Sequence, residues 1–161
     1  MAFSLVLSGC LPIPEVVPPR LEPHYLGSEK AEINMQCNLK HEAVWIRNAD
    51  GLRMRITPLY FPDRQLAVLQ FRILAGTHPF IVDTQTPLAM APLAGGATVL
   101  ISLPPLPADK ELEFQIRIES APPGGMRISL PILETPVGKW QPGDLELRTR
   151  AATIRALPFN C

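Results

Sequence analysis

The sequence predicts an all-β chain, folded as a two-sheet antiparallel β-sandwich of seven to nine short strands with little helix. Three observations carry that expectation. Apolar residues recur at every second position in several runs, which on a strand places them all on one face. Nineteen prolines in 161 residues are more than twice the usual share of about 5%, and each interrupts helix by removing a backbone donor. Turn-forming Gly, Pro, Asn and Asp fall between the alternating runs at short spacing. Two stacked sheets cover apolar faces of this kind, and a closed barrel is the competing solution.

Taken in order, the chain begins Met-Ala-Phe-Ser-Leu-Val-Leu-Ser-Gly-Cys. Leu7-Ser8-Gly9-Cys10 resembles the lipobox of bacterial lipoproteins, although no Lys or Arg precedes it. The resemblance implies a signal-peptide remnant over residues 1–9 and a lipid on the Cys10 sulfur. It also implies an outer-membrane protein facing the periplasm, because apolar Leu11 follows the cysteine. Read without the resemblance, the segment is an N-terminal edge strand with a buried Cys10. Residues 11–23 contain five prolines, which favours an extended spacer of roughly 40 Å at about 3.1 Å per residue. The lipid anchor and tether therefore span residues 10–28, and the sandwich domain residues 29–161. The alternative for the later half is a proline-rich strand along a sheet edge, with Val16, Val17, Leu21 and Tyr25 on the core.

Ser28, followed by Glu29 and Glu32, opens a short helical turn. A weak alternation around Met35 and Cys37 follows. Residues 43–60 read as a hairpin: Val44-Trp45-Ile46 and Leu52-Arg53-Met54-Arg55-Ile56 flank Asn48-Ala49-Asp50-Gly51, and Asp-Gly is a strong hairpin signal. Leu52, Met54 and Ile56 point inward, Arg53 and Arg55 outward. Residues 66–74 form a central strand with Ala67, Leu69, Phe71 and Ile73 inward, and 80–82 a short strand. Residues 87–96 read as a loop. Residues 97–118 are the clearest two-strand signal, with Val99, Ile101 and Leu103 on one run and Leu112, Phe114, Ile116 and Ile118 on the other. Met126, Ile128 and Leu130 mark a further strand, and Leu145, Leu147 and Ile154 the last ones. Leu93, Gly95-Gly96 and the Thr98-Val99-Leu100-Ile101 strand are similar to bacterial immunoglobulin-like domains, which implies an immunoglobulin-like or transthyretin-like sandwich.

Lys+Arg and Asp+Glu both number 15. Zero net charge argues against nucleic acid or an anionic membrane surface as the main partner. No apolar run reaches the 18 or so residues of a membrane span. Cys10, Cys37 and Cys161 lack the spacing of a metal knuckle or redox pair. With Cys10 lipidated, as the resemblance implies, Cys37 and Cys161 remain as a pair that an oxidising periplasm permits to form a disulfide; two unrelated thiols are the other reading.

His24, His41 and His78 are far apart and sit in polar contexts, so they are expected to be solvated rather than metal ligands. No nucleophile elbow or phosphate loop occurs. Glu111 and Glu113 share a strand face roughly 7 Å apart, within the range a glycosidase needs; a solvated polar face explains them more simply. Arg53, Arg55, Arg127, Arg148 and Arg150 fall on outward faces, where a carboxylate- or phosphate-bearing partner would meet them. Trp45 and Trp140 are the aromatic candidates for an interface. Trp45 is exposed if Val44 and Ile46 face inward, and Trp140 lies on a loop.

The expected function is a non-enzymatic envelope lipoprotein that needs no cofactor. It is held to the membrane through lipid on Cys10 and binds another envelope protein as an anchor or assembly subunit. A carbohydrate- or ligand-binding module using Trp45 and Trp140, and a hydrolase using Glu111 and Glu113, are the alternatives.

Overall fold

The structure, a computed structural model, describes residues 14–34, 42–107 and 110–156. Cys10, Cys37, Cys161 and His41 lie outside the described residues. So do the lipid site, the disulfide and the signal remnant expected at them.

The chain is all-β, as its alternation predicts. Fifteen strands occur among the described residues, more than the seven to nine expected: β1 (Pro14–Val17), β2 (Arg20–Tyr25), β3 (Lys30–Asn34), β4 (Ala43–Arg47), β5 (Arg53–Phe61), β6 (Leu66–Leu74), β7 (Ile81–Val82), β8 (Leu88–Pro92), β9 (Val99–Ile101), β10 (Glu111–Ile118), β11 (Gly125–Ile128), β12 (Leu133–Thr135), β13 (Gly138–Trp140), β14 (Leu145–Arg150) and β15 (Thr153–Ala156). The excess includes β2 and β8, proline-bearing stretches expected to be tether and loop, and the three-residue β12 and β13, too short to show a period.

Two five-stranded antiparallel sheets, ordered β10-β6-β5-β4-β3 and β2-β14-β11-β8-β9, supply most of the structure. Their inner faces meet in one core. Val44, Ile46, Met54, Ile56, Leu69, Phe71 and Ile73 come from the first sheet; Leu21, Leu88, Met126, Ile128, Leu145 and Leu147 come from the second. Phe71 is opposite Phe114 in the ladder, and their rings stack with centroids 4.9 Å apart. A three-stranded sheet, β13-β12-β7, buries Val82, Leu133 and Trp140 in the same core. β1 and β15 form a separate two-stranded ribbon.

The β4–β5 hairpin forms as its alternation predicts. The Gly51 amide donates to the Asn48 carbonyl at 3.2 Å, and the Leu52 amide donates to the Asn48 side-chain oxygen at 2.9 Å. Gly51 has φ +82, a backbone state glycine adopts without a Cβ penalty. The inward sets Leu52/Met54/Ile56 and Ala67/Leu69/Phe71/Ile73 are all buried.

Four expectations need correction. The 97–118 hairpin does not form: β9 pairs with β8 in one sheet, whereas β10 pairs with β6 in the other. The chain therefore changes layers between β9 and β10. Leu103 is buried, as expected, but Val99 is about half exposed. Residues 87–96 are not all loop, because β8 lies within them between Pro87 and Pro92. Residues 30–34 are strand, paired with β4, where a helical turn from Ser28 was expected. The tether assigned to 10–28 does not hold for its second half: β2 pairs along its length with β14, and Leu21 is fully buried. Pro23 is tolerated because β2 is an edge strand, where a missing donor costs no ladder bond.

Candidate functional site

The outward side chains of the five-stranded sheet β10-β6-β5-β4-β3 form two ordered rows. Across the strands, one row reads Glu32, Trp45, Arg55, Arg72, Glu113, and the next Lys30, Arg47, Arg53, Leu74, Glu111. The period of two makes this inevitable once Val44, Ile46, Met54 and Ile56 are buried: their neighbours in sequence must face out. Trp45 is accordingly on the outer face, half-buried among its neighbours. The Arg55 guanidinium carbon lies 5.8 Å from the Trp45 ring centroid, within the range of a cation–π contact.

Charge is unevenly distributed over this face. At its β10 edge Arg72 is neutralised, with Nε 2.8 Å from Glu111 and 3.2 Å from Glu113. At the opposite edge Lys30 pairs with Glu32 at 2.9 Å. The Lys30 ammonium, with a smaller contribution from Arg47, holds the Glu32 carboxyl below its ordinary range. Between these edges the ladder sets Arg47 against Arg53 and Arg55 against Arg72. Like charges directly opposite destabilise a sheet, by a fraction of a kcal/mol to about 1 kcal/mol each. Arg53 and Arg55 have no carboxylate partner among the described residues. The Nε of Arg55 is shielded from solvent and has no hydrogen-bond acceptor.

Two shallow depressions flank the Trp45–Arg55 pair. One, of about 310 Å³, is bordered by Arg55, Thr57, Gln70, Arg72, Glu113 and Gln115. The other, of about 280 Å³, is bordered by Lys30, Glu32, Asn34, Trp45, Arg47 and Arg53. The face can therefore do one thing well: stack a flat group on indole and guanidinium while offering free cationic donors beside it.

Trp140 does not belong to this surface. It ends β13 rather than sitting in a loop and is only 7% exposed. Its indole N–H donates to Glu29 Oε1 at 3.0 Å, and the Tyr25 hydroxyl donates to Glu29 Oε2. The Gly143 amide in turn donates to the Tyr25 oxygen at 3.1 Å. This half-buried network closes one end of the sandwich. The two donors, Tyr25 first, hold the Glu29 carboxyl below its ordinary range. Burial, and then the bond to Glu29, push the Tyr25 phenol up to about 12. A tryptophan committed to the core is closed to a ligand, so Trp45 and Trp140 do not share a binding face.

Glu111 and Glu113 are brought together, but on an open sheet face and against one arginine. The opposite sheet carries Arg127 and Arg148 on Glu146, at 3.3 and 2.6 Å, and Arg150 on Glu22. These three expected outward arginines are thus each matched to a carboxylate. His24 Nε2 lies 3.9 Å from Glu22 Oε2. Among the described residues no three His, Cys, Asp or Glu gather as metal ligands would. None of their helices is long and apolar enough to cross a membrane.

The signal that separates Arg53 and Arg55 from the other arginines is the strand pairing, which no single-strand pattern contains. The Tyr25–Glu29–Trp140 network was likewise hidden, since its bonds join residues 111 and 118 positions apart, Glu29 to Trp140 and Tyr25 to Gly143. Comparison with protein-family models, with curated proteins and with solved structures finds no match to this chain.

Proposed function

We propose that the chain is a non-enzymatic, protein-binding β-sandwich subunit of a bacterial envelope complex, anchored through lipid on Cys10 and facing the periplasm. The observation that carries the binding half of this reading is the central strip of Trp45, Arg47, Arg53 and Arg55. A fold that places Arg47 opposite Arg53, and leaves Arg53 and Arg55 without a carboxylate partner among the described residues, accepts a repulsive cost. Carboxylates from a partner remove that cost and gain charge-assisted bonds. Trp and Arg are also the residue types that dominate interface energetics. The partner surface that fits is acidic, with a flat or extended group for the Trp45 ring.

The lipobox-like Leu7–Cys10 supports the anchoring half, with an outer-membrane location implied by Leu11. The pairing of Glu111 and Glu113 with Arg72 supports a structural role for those carboxylates over a hydrolytic one.

Two measurements test the reading. Intact-mass analysis of the native protein is expected to show cleavage before Cys10 and a lipid adduct; an unmodified Cys10 in full-length product contradicts the anchor. Affinity capture from envelope extracts with wild type and Arg53→Glu/Arg55→Glu is expected to lose one specific partner. Unchanged capture by a variant that melts normally contradicts the surface.

A further inference from the structure

We propose that two copies of the chain associate through β9, pairing edge to edge about a two-fold axis into a continuous ten-stranded sheet. β9 ends its sheet, with β8 on one side and no strand on the other among the described residues. A free edge is a template for another strand, and proteins ordinarily blunt it with charges or proline. The remaining edges of the two large sheets are blunted. β2 carries Arg20, Glu22 and Pro23; β3 carries Lys30 and Glu32; β10 carries Glu111, Glu113 and Arg117. β9 carries neither charge nor proline, and only its three-residue length limits its edge. Between Asp83 and Asp109 the sequence contains no charged residue and no histidine, so both β9 and its neighbour β8 are electrically silent.

Exposure matches this. Val99 is 49% and Leu100 65% exposed. Val99 lies opposite core-facing Met90 in the ladder, so its side chain points along the core layer and is left uncovered at the margin. An added strand would cover it.

The occupant follows from the sequence of the edge. Thr98-Val99-Leu100-Ile101-Ser102 is a palindrome in chemistry: hydroxyl, β-branched, leucine, β-branched, hydroxyl. An antiparallel pairing centred on Leu100 sets Leu100 against its own copy, Val99 against Ile101 and Thr98 against Ser102. Each is a favourable cross-strand match, and aliphatic and Thr/Ser pairs stabilise by fractions of a kcal/mol to about 1 kcal/mol. Closed two-fold pairing requires such self-complementarity, and an unrelated strand does not. Zero net charge leaves no long-range repulsion between copies. Gly95-Gly96 before the strand and Pro104-Pro105 after it limit the pairing to about five residues a side, which predicts a weak, concentration-dependent dimer rather than an obligate one.

The test is sedimentation equilibrium of the full chain from about 5 to about 500 µM, spanning the affinity a small interface supports. Wild type is expected to show a monomer–dimer equilibrium. Leu100→Lys and Leu100→Glu, each alone, are expected to weaken it by on the order of tenfold or more, because the two-fold axis sets like charges face to face. An equimolar mixture of the two variants is expected to recover the dimer. Leu100 is mostly exposed, so the monomer tolerates both changes, and an unchanged melting temperature checks this. A strictly monomeric wild type overturns the proposal. So does a dimer that both variants leave intact but that Ile154→Lys on the β1–β15 ribbon removes, or a failure of the mixture to restore what each variant lost.

Discussion

Tyr25→Phe removes one oxygen from the end of the sandwich, and the structure says what that oxygen does. It donates to Glu29 and accepts from the Gly143 amide. A hydrogen bond to a charged group contributes about 1.5–3 kcal/mol; Glu29 is half-buried, so solvent screening lowers this to about 1 kcal/mol. Losing the acceptor for Gly143 costs about 1 kcal/mol more. The sum, about 2 kcal/mol, corresponds to a fall in Tm of about 4–8 °C for a chain of this length. The two parts differ in pH dependence. The Tyr25 hydroxyl is the main cause of the depressed Glu29 carboxyl, so its contribution is present above the ordinary carboxylate range and disappears as pH falls through the native value. The Gly143 part does not titrate. Thermal melts of wild type and Tyr25→Phe are therefore expected to converge as the pH is lowered below the ordinary carboxylate range, leaving the Gly143 part of the separation. A separation independent of pH would mean that the phenol is only packed there. No separation at any pH would refute the network.

Other predictions follow from the same geometry. Wild-type stability is expected to hold up to about pH 10 and to fall between there and about pH 12, because the Tyr25 phenol ionises in the unfolded chain at 10.0 but is raised to about 12 in the fold; denaturant titrations across that range check it. Phe71→Ala is expected to cost about 3–5 kcal/mol by urea unfolding, since Phe71 is fully buried and stacks on Phe114. Gly125→Ala is expected to cost about 2 kcal/mol or more: Gly125 has φ +103, and a Cβ there meets the Leu147 carbonyl, so both strain and collision apply. Arg72→Met is expected to change stability by less than about 1 kcal/mol, because its two ion pairs are on the open face.

The legible parts of this fold were those whose information is local. Met54 and Ile56 between Arg53 and Arg55 state both the strand and its faces, and Asp50-Gly51 states the turn. Pairing is different. Leu112 to Ile118 alternates as clearly as any run in the chain, yet alternation says only that a strand has a covered face, not which strand lies beside it. Closeness in sequence suggested β9; burial of the core favoured β6, whose Phe71 stacks on Phe114. Proline misled twice for one reason. Pro23, Pro87 and Pro92 sit within or beside strands at places where their missing donor is harmless, and composition cannot distinguish such a site from a loop. Trp140 was misplaced because a three-residue strand has no period to read. Of the surface strip, Arg53 and Arg55 were legible as outward residues, and Trp45 only on the condition that Val44 and Ile46 face inward. That Arg47 faces Arg53 and Arg55 faces Arg72 depended on register, which only the assembled sheet supplies.

The most direct test is a photo-crosslinking amino acid placed at Arg53 in cells that make the native protein, with Arg148 on the opposite sheet as the control position. A docking face built on Trp45, Arg53 and Arg55 predicts one crosslinked envelope protein from position 53, rich in acidic residues at the site of attachment, and none from position 148. Equal adducts from both positions, or an adduct from 148 alone, would contradict it.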